Sequence, residues 1–155
     1  MEEPDIVDEI LDDIHPLQPN KRGRASSYYV SEANLRAGVT ELYETGNFPD
    51  ALAADLLKMC KRIVTSRRFF SYSDTLREEM VSAASIKVCT QLQNHKYDPD
   101  RGSKVYSWAT RVILNEMLQC ILREQKRMKE WEKIVNDALV EGDYEPVETP
   151  IEEQY

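Results

Sequence analysis

The chain has 155 residues and a mass of 18.0 kDa, room for one domain or for a small domain with tails, and a multidomain enzyme is excluded. With 41% hydrophobic and 31% charged residues and a mean hydropathy of -0.58, it can form a small helical core but holds no run near the roughly 20 apolar residues that span a bilayer. The formal net charge of -8 is unevenly spread: residues 1–20 and 136–155 each hold seven acids and no Lys or Arg, which leaves all 20 bases and 14 acids between them, a net of +6.

The first predicted segment, residues 1–30, holds three of the seven prolines and the Lys21-Arg22-Gly23-Arg24 cluster, and reads as a disordered tail. Within it Ile6, Ile10, Leu11 and Ile14 recur at helical spacing among acids and could form a short amphipathic helix on a partner. The acidic start lacks the basic flank of a signal peptide, so a cytoplasmic protein is expected. Ser31-Glu32 then opens a first helix, with Leu35, Val39, Leu42 and Tyr43 on one face, which Gly46-Asn47-Phe48-Pro49 stops. Asp50 can cap a second, whose stripe is Leu52, Leu56, Met59, Cys60 and Ile63. A loop is expected around Arg67–Tyr72. Ser73 or Asp74 can cap a third helix, with Leu76, Met80, Val81, Ala84, Val88 and Leu92 in period up to about Asn94. Tyr97-Asp98-Pro99-Asp100-Arg101-Gly102 is a turn by composition. The longest helical pattern follows, with Val105, Trp108, Ala109, Val112, Ile113, Met117, Cys120 and Ile121 on one side and Arg111, Arg123, Lys126, Arg127, Lys129 and Lys133 forming a basic surface, to about Leu139. Residues 140–155, with Pro146 and Pro150, read as an acidic tail. The expected architecture is all-α, about four helices over residues 31–139 between two acidic tails.

The residue sets of common catalysis are missing from this pattern. His15 and His95 have no cysteine or carboxylate at ligand spacing, the five glycines are scattered, and Glu78 and Glu79, adjacent on a helix, point about 100° apart. Cys60, Cys89 and Cys120 are an odd number, far apart, each within an apolar pattern, which favours buried free thiols over disulfides or a metal site. Neither an enzyme, a cofactor nor a metal is expected.

The strongest local signal runs from Tyr97 to Ile113, where aromatic and basic residues alternate. Arg101, Lys104 and Arg111 could hold phosphates while Tyr106 and Trp108 offer faces to unpaired bases, at roughly 1–3 kcal/mol per base. The pattern serves equally for Tyr106 and Trp108 as core aromatics of an amphipathic helix.

This phrase resembles region 2 of the sigma-70 family of bacterial RNA polymerase initiation factors, in which an acidic-apolar helix precedes a segment close to F-D-x-x-R-G-x-K-F-S-T-Y-A-T-W-W-I-R. Tyr97-Asp98, Arg101-Gly102, Lys104, Ala109-Thr110 and Ile113 match in register, and Val105, Ser107 and Trp108 replace residues of similar kind. The segment Ser66–Ala84 and the helices before it look more like the short late-transcription sigma factors of tailed bacteriophages. The resemblance covers about residues 28–130, most clearly 76–127. It implies that Trp108 stands where the family stacks an aromatic on the flipped adenine of the -10 element, that Arg101 and Lys104 contact backbone, and that Asn115 faces the upstream edge of that element. Glu79, Met80, Ser82, Ala83 and Ile86 then lie on the helix that binds the clamp coiled coil of the polymerase's largest subunit. The chain departs from the family in having Arg111-Val112 for the paired tryptophans, Ser82-Ala83-Ala84 for Gln-Glu-Gly, and about two extra residues before Tyr97. In phage late sigma factors an apolar and acidic tail hooks the sliding clamp; Val147, Ile151 and Tyr155 are the residues here that could do so, on the clamp or on a coactivator.

The expected function is that of a phage-type sigma factor. It would bind bacterial core RNA polymerase and direct late transcription from promoter DNA with an A/T-rich -10-type element. The alternatives are a polymerase-binding regulator or coactivator that does not read the promoter, and a free-standing helical DNA-binding module.

Overall fold

The computed structural model describes residues 30–142, and among these every regular element is helical. Helix α1 spans Glu32–Thr45, α2 Asp50–Val64, α3 Asp74–Gln93 and α4 Val105–Glu141, with 3-10 turns at Arg67–Phe69 and Pro99–Arg101. The tail residues Ile6, Ile10, Leu11 and Ile14, and Val147, Ile151 and Tyr155, lie outside the described residues.

The helix starts follow from local hydrogen bonding. Ser31 Oγ accepts from the Asn34 amide at 3.4 Å and Ser73 Oγ from the Leu76 amide at 3.2 Å, each meeting one of the donors a first turn leaves unpaired. α2 differs from expectation: its cap position is Pro49, which offers no side-chain acceptor, and Asp50 is the first helical residue, where its charge complements the helix dipole. The expected loop after α2 also differs. It closes as a 3-10 turn because Phe69 is buried and draws the chain inward.

Two units divide the chain between Cys120 and Ile121. In the first, α2 and α3 form the most extensive helix pair and α1 packs on both. Gly38 permits the α1–α2 approach, since a Cβ there would come within 2.9 Å of the Leu52 Cβ. The buried core draws on all four helices: Leu35, Val39 and Leu42 from α1; Leu52, Leu56, Met59, Cys60 and Ile63 from α2; Leu76, Met80, Ala84, Val88 and Leu92 from α3; and Val105, Ala109, Ile113, Leu114 and Met117 from α4. Fully burying an aliphatic side chain of this kind contributes roughly 1.5–3 kcal/mol. Cys60, Cys89 and Cys120 are free thiols, the first and last buried. The second unit is represented by α4 from Ile121 to Glu141, whose bases and acids pair along the helix, Arg127 with Glu124 and Lys126 with Glu130. None of the described helices is long and apolar enough to cross a membrane.

Candidate nucleic-acid interface

The segment between α3 and α4 is held by hydrogen bonds that reach across the fold. Tyr97 is buried; its hydroxyl donates to the Ser103 carbonyl at 2.6 Å, and its own carbonyl accepts from the Tyr43 hydroxyl on α1 at 2.8 Å. Asp98 Oδ1 accepts from the Asp100 amide at 2.9 Å and so caps the 3-10 turn, while Gly102 takes the left-handed φ of 76° that turns the chain toward α4. His95 also has a positive φ, 54°, and its ring stacks on Tyr43 with centroids 4.1 Å apart.

α4 begins against α1. Glu32 Oε1 accepts from the Val105 amide at 2.8 Å and Oε2 from the Tyr106 amide at 2.9 Å, so one carboxylate meets two of the four donors that the first turn exposes and sits at the positive end of the dipole. Arg36 holds the same carboxylate at 3.2 Å. Sequence reading assigned Glu32 only to the start of its own helix. The partners are 73 and 74 positions apart in sequence, which leaves no local signal of this contact.

These constraints place the predicted residues. Lys104, Trp108, Arg111 and Asn115 follow one another at spacings of four, three and four, and therefore share one ridge of the helix. Lys104, Arg111 and Asn115 are exposed and Trp108 is half-buried, its ring tilted 57° to that of Tyr97 with centroids 5.4 Å apart. Arg101, in the turn before them, is exposed and 3.5 Å from Asp98. An open cleft of about 610 Å³ lies beside this ridge, lined by Tyr43, His95, Tyr97, Arg101, Ser103 and Trp108 among others. A planar group entering it would meet aromatic faces at its walls and a guanidinium at its rim.

Tyr106 does not join that ridge. It lies about 160° round the helix from Trp108, given 3.6 residues per turn. It is half-buried; burial pushes its phenol above the usual value, with the Arg62 charge acting against the shift. Of the two aromatics expected to offer faces to unpaired bases, only Trp108 therefore shares the ridge with Lys104, Arg111 and Asn115.

On α3, Glu79, Ser82 and Ile86 are exposed and Ala83 half-buried, along one face at spacings of three and four, with Ile86 68% exposed. Met80 is corrected. It is wholly buried in the stripe Leu76-Met80-Ala84-Val88-Leu92, so it supports this helix from the core and offers no atoms to a partner. Comparison with models of protein families, with curated proteins and with solved structures finds no match in any of the three.

Proposed function

We propose that the chain is a minimal sigma-type specificity factor of the bacteriophage late-transcription kind, binding bacterial core RNA polymerase and directing initiation at promoters with an A/T-rich -10-type element. The observation that carries this reading is the Lys104-Trp108-Arg111-Asn115 ridge beside an aromatic cleft, two of whose members, Lys104 and Trp108, belong to the phrase that resembles the promoter-melting segment of that family. Cations along the ridge hold phosphates, Trp108 stacks on an unpaired base, and Asn115 lies within reach of the next base edge. The exposed α3 face of Glu79, Ser82, Ala83 and Ile86 docks on a helical element of the polymerase. The chain itself catalyses nothing; the polymerase supplies the chemistry.

One observation favours a second reading. Trp108 packs on Tyr97, so its ring also serves the fold, as it would in a polymerase-binding regulator that does not touch promoter bases. Run-off transcription with core polymerase on a library of A/T-rich -10-type promoters, alongside gel filtration of the mixture, separates the two. Initiation that requires the protein, lost in Trp108→Ala with co-elution retained and lost with co-elution in Ile86→Asp, is the expected result. Co-elution without transcripts favours the regulator. No co-elution overturns both and leaves salt-dependent binding to DNA alone, with a log-log slope of about -0.9 per phosphate, as the test of a free-standing DNA binder.

A further inference from the structure

The second unit carries an apolar face that neither the DNA-facing ridge nor the α3 face uses. Met128, Trp131, Val135 and Ala138 recur at spacings of three, four and three, with Ile134 and Leu139 beside them; Trp131 is 62% exposed and Ile134 60%. Trp131 borders two surface grooves, one shared with Met128 and Ile134, the other with Val135, Ala138 and Leu139. The spacing is that of the a and d positions of a paired helix over about two heptads.

Charge along the same segment is polarised. Residues 121–129 hold four bases (Arg123, Lys126, Arg127, Lys129) and one acid (Glu124), a net of +3; residues 130–141 hold one base (Lys133) and four acids (Glu130, Glu132, Asp137, Glu141), a net of -3. A uniformly acidic partner, whether nucleic acid or residues 1–20 of this chain, would suit the first half and be repelled by the second. A parallel copy would set like charge against like. We propose that this face is covered by the same face of a second copy running antiparallel, which sets each basic half against an acidic half and brings the two Trp131 rings close to the two-fold axis. In that register Met128 packs beside Trp131 of the second copy, and Glu124 faces Val135 of the second copy. Glu124 brings its own counter-charge, because Arg127 holds it through two bonds of 2.7 and 3.0 Å. The inference is independent of the sigma reading, since it uses none of the residues on which that reading stands.

Sedimentation equilibrium of the full chain tests it directly. The expected result, over a hundredfold range of concentration up to about 200 µM, is an equilibrium tending to twice the 18.0 kDa chain mass. Trp131→Glu, at an exposed position, raises the dissociation constant by about 30-fold or more, with an unchanged circular dichroism spectrum and, at concentrations where both chains are monomeric, an unchanged urea midpoint. In a Cys89→Ser background, a Glu124→Cys chain mixed with a Val135→Cys chain oxidises to a cross-linked pair, while neither cross-links with itself. A monomer at every concentration overturns the proposal, including one whose Trp131 fluorescence changes when residues 1–29 are deleted or core polymerase is added, which would assign the face to those partners. A dimer indifferent to Trp131→Glu, or self-cross-linking of each cysteine chain, also overturns it.

Discussion

α4 has two halves that read alike in sequence and differ in what covers them. From Val105 to Cys120 the apolar positions Val105, Ala109, Ile113, Leu114 and Met117 are wholly buried; from Ile121 to Glu141 Met128, Trp131, Ile134 and Leu139 are at least half exposed. In both, apolar residues recur every three or four positions, as on one face of a helix. Amphipathic periodicity identifies which face will be covered, whereas the cover itself comes from residues far away in sequence. The first half has α1, α2 and α3 in its own unit.

The sharpest way to break this comparison is to make the same deletion on both sides. Ile113→Ala removes a fully buried side chain and is expected to lower the unfolding free energy by about 2–5 kcal/mol. Ile134→Ala, at a 60% exposed position, is expected to change it by no more than about 0.5 kcal/mol in dilute solution. Urea unfolding of the two variants measures the difference. Equal effects would mean that Ile134 is covered in the free chain.

How much of this was legible beforehand follows the same division. The four helices, their serine starts at Ser31 and Ser73 and the turn at Tyr97–Gly102 were readable, because capping, periodicity and turn chemistry act over a few residues. The buried stripe of α3 was readable by period too, yet the family resemblance placed Met80 on the partner-binding face, and burial decides against that. Tyr106 and Trp108 were both offered to unpaired bases by residue type, although the period had put only Trp108 in the stripe of α4; two positions apart on a helix they face about 160° apart, which separates them. The contacts of Glu32 and Tyr43 with the α3–α4 segment were not readable, since each joins residues more than fifty positions apart.

The next effect is one of pH. Cys60, on α2, faces Ser85 of α3, and burial pushes its thiol up to about 11 from the ordinary 9.0, with a hydrogen bond from Ser85 acting in the opposite direction. The folded state therefore keeps this proton over a range in which the unfolded chain loses it. Stability is unaffected below about pH 9 and falls as pH rises from about 9 to 11, by on the order of 2 kcal/mol. Urea midpoints across that range should fall less steeply in Cys60→Ala, leaving the loss due to the Cys89 thiol and to the phenols of Tyr43, Tyr97 and Tyr106, which burial also raises.

A smaller change probes the anchoring of α4. Glu32→Ala removes the acceptor of the Val105 and Tyr106 amides, at an expected cost of about 1–2 kcal/mol, the scale of a lost helix cap. Glu32→Gln keeps one acceptor oxygen and should cost less. If Glu32→Ala were neutral, water would be capping α4 as well as the carboxylate does, and the front half would be held by its apolar face alone.

The smallest expected effect isolates the cleft from the core. Tyr97→Phe keeps the buried ring, its contact with Trp108 and the carbonyl that accepts from Tyr43, and removes only the hydrogen bond to the Ser103 carbonyl. A bond of this type contributes about 0.5–1.5 kcal/mol net, and because Ser103 is exposed its carbonyl can turn to water, so the lower end of that range is expected. The consequence should be local: hydrogen exchange at the Val105 and Tyr106 amides speeds up as the Gly102–Lys104 link loosens, while amides of α2 keep their protection. If transcription by the assembled polymerase falls in this variant by more than the stability loss accounts for, the orientation of Lys104 and Trp108 matters to the bound strand. If it does not, the link merely closes the turn, and the ridge on α4 is positioned by Glu32 and the buried face of the helix.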